Sequence, residues 1–571
     1  MEPESRGQTS TFVGANRADS ANLAQLSTCL VYPRRMESQN SAMKSLTPLR
    51  LLFVAFAVFA LSAFAEEPLD LSVIHRIKAE AFENSKVMDH IFYLTDVNGP
   101  RLTGSPGFKS AGDWVVKRLQ EYGLTNVREE SWGPFGRGWT YTRFGGHMLE
   151  PIYAPLIGFP LAWSPGTQGA VQGEAIYAPI DDEKDFEKFK GKLHGKIVFS
   201  MKSRDLPMPT DPPGRRLTDA ELTGSLDPGR LPGLFRPIGP PESPEAQKRN
   251  AFRNRVNQFL SDEAALVVVR SGAIGDAGTV FGQQGGSRDP KDPVPPPMAV
   301  LTPEHYNRVV RLLDHNIPVK LEFDIQARFI DSPTDSFNVI GEIEGGRKKD
   351  EIVMLGAHLD SWHGGTGATD NATGSAVAIE AVRILKALNL KMDRTVRIAL
   401  WGGEEEGLLG SKAYVAQHFA DRETMQPKPE YFKLSAYYND DYGTGRFRGV
   451  EINGNDEAAP IFEEWLKPFH DLGATAVMRL TARANPRPNS TDHTTFNFVG
   501  LPGFAFVQDP MDYPTRTHHS NMDVYDRVQP GDVMQSAAIM AAFVYNTAMR
   551  PQMMPRVPMP KALGADKPTT K

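Results

Sequence analysis

Cysteine is nearly absent from this chain of 571 residues, whose one cysteine is Cys29. It lies within the first 30 residues, and no cysteine follows it in the sequence. If the N-terminal part is removed during maturation, as the pattern described below predicts, the mature chain contains none. This excludes disulfide bonds, thiolate metal ligands and lipid attachment through cysteine from the mature protein. Any metal site must then be built from nitrogen and oxygen ligands.

A strong excess of charge is also missing. The formal net charge is -6 and the pI is about 6.2, so composition gives no reason to expect nucleic acid as a partner. We found no charge block and no sustained internal repeat. Hydrophobic residues make up 40% of the chain, which is enough for a large buried core.

The chain has no apolar run near its start that is long enough to cross a membrane. Residues 51–61 are apolar, but a spanning helix needs about 20 such residues. Lys44 and Arg50 form a short basic region before this run, and the Ala-Phe-Ala sequence at 63–65 follows it. This order predicts a secretory signal peptide at 43–65.

The residues before the signal fit no targeting pattern. We interpret 1–42 as a mis-called extension and Met43 as the true start. We therefore expect export to a bacterial periplasm or the extracellular space, with no stable membrane anchor after cleavage. The oligomeric state, monomer or homodimer, stays open.

The rest of the chain divides into segments that differ in their hydrophobic periodicity and in their strand and turn patterns. Alternating apolar runs and helical patterns from residue 336 onward predict an α/β fold, with a largely parallel or mixed sheet and helices on both faces. Residues 69–145 and 326–549 would form this main domain. Residues 146–325 read as a smaller strand-rich insert, either a passive spacer or a wall of a substrate pocket. We expect residues 550–571 to be a disordered tail.

Polar residues follow the predicted strands of the main domain. His358 ends one strand, and Asp360 two residues later could accept the other imidazole N–H of a metal-bound histidine. Asp370 follows a glycine-rich turn and precedes a helix, where it could instead be a helix cap.

Carboxylates and imidazoles also follow the later strands. Glu404 and Glu405 are adjacent acids that would repel each other unless a cation offset them, although a solvated acidic helix start is the competing interpretation. Asp441 closes a further strand, and His518 and His519 come after the last one. Each signal is weak alone; together they predict a metal site at one edge of the sheet.

These motifs resemble those of the co-catalytic zinc exopeptidase family that includes bacterial aminopeptidases and glutamate carboxypeptidase II. The segments that carry the resemblance read AHLDS, GATDNATG, GGEEEGLLGS, YYNDD and THHSNMD. Their wording is most similar to the plasma glutamate carboxypeptidase (carboxypeptidase Q) branch. The resemblance also covers the insert, around GKIVFSMK, which is similar to a protease-associated domain.

The resemblance implies a secreted exopeptidase that binds two Zn²⁺ per chain and hydrolyses dipeptides or short peptides. It implies a metal-bridged hydroxide as nucleophile and Glu404 as general base. Asp360 would hydrogen-bond a metal-bound histidine without binding the metal itself. His518 would have a catalytic role at the position where many relatives carry tyrosine. The implied metal ligands are His358, Asp370, Glu405, Asp441 and His519.

The substrate end that is recognised stays open between aminopeptidase and carboxypeptidase or dipeptidase action. Arg446, Arg448, Arg483 and Arg487 flank the later motifs and could clamp a substrate carboxylate. They could equally be surface charge, and the acidic region around Glu404 could hold a free amine. Two other functions compete: a non-catalytic receptor of the same fold, and a single-zinc acyltransferase of the glutaminyl cyclase type.

The signal peptide yields a direct prediction. We expect N-terminal sequencing of the exported protein to begin at Glu66, because cleavage should follow the Ala-Phe-Ala sequence. A mature N-terminus upstream of Met43 would contradict both the cleavage site and the assignment of the start.

Overall fold

The computed structural model describes residues 67, 69–223, 244–479 and 491–562. The predicted extension 1–42 and signal peptide 43–65 lie outside these residues. No helix among the described residues has both the length and the apolar character that crossing a membrane requires.

The described strands fall into two mixed sheets. In chain order they are β1 (Thr125–Trp132), β2 (Gly138–Glu150), β3 (Ala154–Pro155), β4 (Gly158–Pro160), β5 (Val171–Tyr177), β6 (Ile197–Phe199), β7 (Val267–Ser271), β8 (Met298–Leu301), β9 (Lys320–Ile330), β10 (Ser336–Ile343), β11 (Lys348–His358), β12 (Arg394–Trp401), β13 (Leu434–Asn439), β14 (Phe447–Glu451), β15 (Ala476–Met478) and β16 (Gly503–Gln508).

The helices pack around these sheets and are numbered in the same way. The α-helices are α1 (Leu71–Glu83), α2 (Val87–Phe92), α3 (Pro106–Glu121), α4 (Lys184–Phe189), α5 (Asp219–Thr223), α6 (Pro244–Asp262), α7 (Pro303–Asp314), α8 (Thr373–Ala387), α9 (Leu409–His418), α10 (Ala459–Leu466), α11 (His493–Asn497) and α12 (Pro530–Met549). Shorter turns of π or 3₁₀ helix include Ala368–Ala372 and Tyr513–Thr517.

The first sheet has the order β1-β10-β12-β11-β13-β16-β14-β15. Its central strands β12, β11, β13 and β16 are parallel to one another, and antiparallel pairs flank them. The predicted mixed α/β sheet is therefore confirmed. Because the central strands are parallel, their carboxyl ends lie along one edge.

Side chains of the central strands alternate between two apolar layers. Val353 and Leu355 of β11 belong to the layer that includes α8 and α12. Met354 of the same strand belongs to the opposite layer, together with Tyr414 of α9 and Phe496 of α11. Period-two alternation with both faces covered is what a buried parallel sheet requires.

The second sheet has the order β3-β2-β9-β5-β6-β7-β8-β4 and packs around its own apolar cluster. Its strands begin at Gly138 and end at Ile330, so it extends past both ends of the predicted insert 146–325. The identification of that insert as a protease-associated domain stays a prediction.

The predicted tail is ordered in part. Residues 550–562, placed by sequence in a disordered segment, instead pack against the first sheet. Met554 is buried, and its N–H donates to Ser435 Oγ at 3.1 Å. Arg556 donates to the carbonyl oxygen of Leu434 at 2.6 Å. The sequence predicted disorder from the proline-rich composition of this segment. That prediction was wrong for residues 550–562 because composition carries no information about contacts with distant parts of the chain.

A buried arginine holds the loop that follows β11. Arg101 donates from Nε to Leu359 O at 2.7 Å and from Nη1 to Leu94 O at 2.8 Å. It also donates to Thr366 O at 2.9 Å and to Gly367 O at 2.8 Å. The guanidinium thus satisfies carbonyl groups of a loop that crosses the sheet edge, where water has little access.

We expect Arg101→Met to lower the free energy of unfolding by about 3 kcal/mol, because it leaves several buried carbonyl groups without donors. The midpoint of urea unfolding would measure the change. Arg143→Met is the matched control, since Arg143 is 64% exposed and its pair with Asp324 lies at the surface; it should shift stability by less than about 0.5 kcal/mol. An equally small effect at position 101 would contradict the role.

Candidate metal centre

Most of the predicted metal-site residues lie at the carboxyl-terminal edge of the first sheet. His358 is the last residue of β11, Glu404 and Glu405 follow β12, and Asp441 follows β13. Asp370 lies in the turn Ala368–Ala372 that leads into α8. The carboxyl ends of parallel strands thus converge on one site, as ligand sites in open α/β sheets do.

The first group of side chains surrounds His358. Its Nε2 lies 3.0 Å from Asp441 Oδ1 and 3.3 Å from Asp370 Oδ1. All three residues are buried. Asp441, rather than Asp440, belongs to a set whose ligand atoms could share one ion.

The second group surrounds His519. Its Nε2 lies 2.9 Å from Glu405 Oε2 and 3.1 Å from Asp370 Oδ2. Asp370 therefore presents Oδ1 to one imidazole and Oδ2 to the other. One carboxylate placed between two His-carboxylate groups is the arrangement that a bridging ligand requires.

The donor set fits metal ions. Three sets of side chains have ligand atoms within 4.8 Å of one another: His358 with Glu404 and Asp441, His358 with Asp370 and Glu405, and Asp370 with His518 and His519. Oε1 of Glu405 is buried without a hydrogen-bond partner in the described part of the chain. Imidazole and carboxylate donors without thiolate are the ligands of catalytic zinc sites.

The electrostatics of the buried carboxylates also favours a bound cation. Burial, and then the neighbouring Asp370, raises the pKa of Glu405 to about 7. Burial likewise raises the pKa of Glu404 well above its ordinary value. Burial alone would lower the pKa of His519, but Glu405 and Asp370 raise it to about 10. Buried carboxylates that repel one another are stabilised when divalent ions lie between them.

Asp360 contacts both the imidazole of His358 and the glutamate pair. Its Oδ1 lies 3.6 Å from His358 Nδ1, the nitrogen beside which the sequence predicted it, and its backbone oxygen lies nearer, at 3.0 Å. The carboxylate also accepts hydrogen bonds from the N–H groups of Glu404 and Glu405, each at 3.2 Å, and from Thr103 Oγ1 at 3.1 Å.

His518 lies beside the cluster. Its Nε2 is 3.7 Å from Asp370 Oδ2, and its ring centroid is 3.7 Å from that of His519. The ring of Tyr513 lies 4.7 Å away. His518 keeps 43% of its side chain exposed, so it can contact a bound molecule.

The arginines proposed as a carboxylate clamp are engaged elsewhere. Arg448 pairs with Asp509 at 2.9 Å, and Arg446 lies 3.4 Å from Asp532. These buried acids hold both guanidinium groups away from the proposed role of binding a substrate carboxylate. Sequence spacing could not predict these ion pairs, because the partners are distant along the chain. Arg483 and Arg487 lie outside the described residues.

A cavity of about 2090 Å³ opens above the cluster. Asp370, Glu404 and Glu405 line its floor. Its walls include residues 206–213 and 287–292, which come from the region of the second sheet. The cavity exceeds the ~300–1,000 Å³ of small-molecule pockets, so it has room for a peptide.

Arg288 belongs to the wall of this cavity. It lines the cavity together with Glu404, Glu405 and Glu406. A hydrogen bond to Phe135 O fixes one end of its guanidinium. Burial lowers its pKa, while Glu406 opposes that shift; within the described residues it forms no ion pair. Sequence reasoning missed Arg288 because it lies far along the chain from every ligand motif.

A buried imidazole-carboxylate centre at the strand ends of an α/β sheet is the kind of site that metal-dependent hydrolases use. Residues 338–544 match the model of peptidase family M28, and that span contains every predicted metal ligand. This part of the chain is thus similar to family M28, and together with the relatives described next the match indicates a metallo-exopeptidase.

Relatives extend the likeness beyond the metal centre. Carboxypeptidase Q of Mus musculus is 27% identical over 469 residues, which cover 81% of this chain and 86% of the relative. The crystal structure of a peptidase M28 precursor from Shewanella amazonensis SB2B matches with a TM-score of 0.59 and 24% identity, covering 86% of this chain and 98% of that one. A zinc aminopeptidase from Bacillus subtilis matches with a TM-score of 0.50 and 18% identity, covering 81% and 94%. The two structures show a shared fold.

Proposed function

We propose that this protein is an exported exopeptidase that binds two zinc ions and hydrolyses dipeptides or short peptides. The observation that carries the proposal is the position of Asp370, whose two oxygen atoms face His358 and His519 from one carboxylate. A site for a single ion would need no such shared ligand. This favours a two-ion hydrolase over a single-zinc acyltransferase.

In this proposal each ion has its own ligands besides Asp370. His358 and Asp441 would hold one ion, and Glu405 and His519 the other. When bound, such ions polarise the substrate carbonyl and lower the pKa of the attacking water. A non-catalytic receptor would have no need for this complete set of buried ligands.

Glu404 is the residue that would move the proton. It lines the cavity, and its backbone is held by Asp360. Its carboxylate would accept a proton from the attacking water and pass it to the leaving amine. His518, half-exposed beside Asp370, would donate an N–H to the oxygen of the reacting carbonyl.

We expect Glu404→Gln to lower kcat by at least about 100-fold, because the amide cannot accept the proton. Zinc content, measured by elemental analysis, should stay near that of the parent protein. The matched control is Glu423→Gln, a change at an exposed position, which should leave kcat unchanged. Full activity of Glu404→Gln would contradict the assignment.

We propose further that the free carboxylate end of the substrate is recognised. Arg288 is a cavity guanidinium fixed at one end by Phe135 O, and its remaining N–H groups can bind a carboxylate. The alternative is aminopeptidase action, in which the acidic wall around Glu404 to Glu406 holds a free amine. The two hypotheses require different free ends.

Blocked dipeptides separate these hypotheses. We expect a dipeptide with an acetylated N-terminus to be hydrolysed, and one with a C-terminal amide to lose about 10–100-fold in kcat/KM, the size of a lost charge-assisted hydrogen bond. Arg288→Met should remove this preference, while Arg143→Met keeps it. Hydrolysis of the amide but not of the acetylated peptide would support the aminopeptidase. Cleavage that resists a chelator would contradict a metal-dependent reaction.

A further inference from the structure

A loop of the second sheet reaches the loop that carries His519. Residues 278–284, in the connection between β7 and β8, run beside residues 519–521, and Val280 and Asn521 pair in this contact. Val280 N–H donates to Asn521 Oδ1 at 2.7 Å, and Asn521 N–H donates to Val280 O at 3.1 Å. A metal-site loop of the first sheet is thus held by a segment of the second.

Gln283 makes the contact that matters for the metal. Its side-chain Nε2 lies 2.8 Å from Nδ1 of His519, whereas the carboxylates of the site lie near Nε2 of that ring. The carbonyl of Gln283 accepts from Ala162 N–H at 3.0 Å, which holds its backbone against the segment that follows β4. The side-chain amide of Gln283 therefore approaches His519 from a fixed backbone position.

His519 needs an external support. Its φ angle is +63°, a left-handed conformation that costs free energy in any residue with a side chain and persists only where surrounding contacts determine it. By contrast, His358 lies at the end of a strand and has its Nδ1 beside the oxygen of Asp360 in its own loop. The two imidazoles are thus oriented by different parts of the fold.

We infer that Gln283 is a positioning residue that orients His519 for metal binding, so that the loop between β7 and β8 contributes directly to the metal centre. The inference rests on the proposed metal-dependent function. An imidazole that binds an ion through Nε2 keeps its proton on Nδ1 and needs an acceptor there. A glutamine amide offers an oxygen or a nitrogen at nearly the same place by rotation of its terminal group.

This arrangement couples the two sheets. Movement of residues 278–284 away from the ligand loop would leave Nδ1 of His519 without its partner and release the left-handed backbone. Conversely, an ion that fixes His519 would hold the second sheet against the cavity. The wall of the substrate cavity and the metal site would then be ordered together.

Substitutions at Gln283 test the inference. We expect Gln283→Leu to lower the affinity for one of the two zinc ions by about 10–100-fold, the usual effect of removing such a partner. Gln283→Glu keeps an acceptor of the same size and should bind zinc at least as tightly as the parent. Competition with a chromogenic chelator would measure both affinities in the full-length exported protein.

Gln284→Leu is the matched control, because the neighbouring glutamine forms no hydrogen bond with His519 among the described residues; its zinc affinity should equal that of the parent. Thermal unfolding of the zinc-free proteins would show that each variant folds. If Gln283→Leu does not fold, the Gln283→Glu variant decides: retained or tighter zinc binding supports the inference, and a loss of about 10-fold or more overturns it.

The result can be separated from the proposed function. Parental zinc affinity in a folded Gln283→Leu variant would overturn the role of Gln283 alone, since the parent would still bind two ions. A parent protein that binds no zinc would instead overturn the proposed function. Hydrogen exchange offers a readout independent of zinc titration: zinc should slow exchange of the Val280 amide in the parent but not in Gln283→Leu, and equal slowing in both would count against the coupling.

Discussion

Mutual repulsion among buried carboxylates is the constraint on which the rest of the site depends. Asp370, Glu404, Glu405 and Asp441 meet at the sheet edge with two imidazoles, largely out of contact with water. Burial and mutual repulsion raise the pKa of Glu404, Glu405 and Asp441. Acids so placed are stabilised by divalent cations, and the fold is built to hold them in position despite their repulsion.

Neighbouring polar residues hold the loops that carry these acids in position. Asp360 accepts hydrogen bonds from the backbone of Glu404 and Glu405 and from Thr103. Arg101 satisfies the carbonyl groups of the loop between His358 and Asp370. The loops after β11 and β12 are thereby locked to each other and to the segment that precedes α3. Such contacts let flexible connections present charged side chains within a few tenths of an ångström of a required geometry.

Loops of the second sheet border both the cavity and the candidate metal site. They supply Arg288 to the wall of the cavity and, through Gln283, a partner for His519. The sequence left open whether this region was a passive spacer or a wall of the pocket, and its residues do line the cavity. Substrate binding and metal binding would therefore share one structural element, because the same segment of chain borders both.

The sequence by itself determined the sheet and predicted the candidate ligand set. Strong alternation of apolar runs and helical patterns located β11, β12, β13 and β16, and a ligand that directly follows a strand is placed by that strand. Partners that are distant along the chain could not be predicted in this way. Gln283 lies 236 positions from His519, and Arg446 and Arg448 looked like substrate ligands until their pairing with Asp509 and Asp532 was visible. Local patterns encode burial and periodicity, whereas partners brought together by long-range packing leave no such signal, so only the tertiary structure decided them.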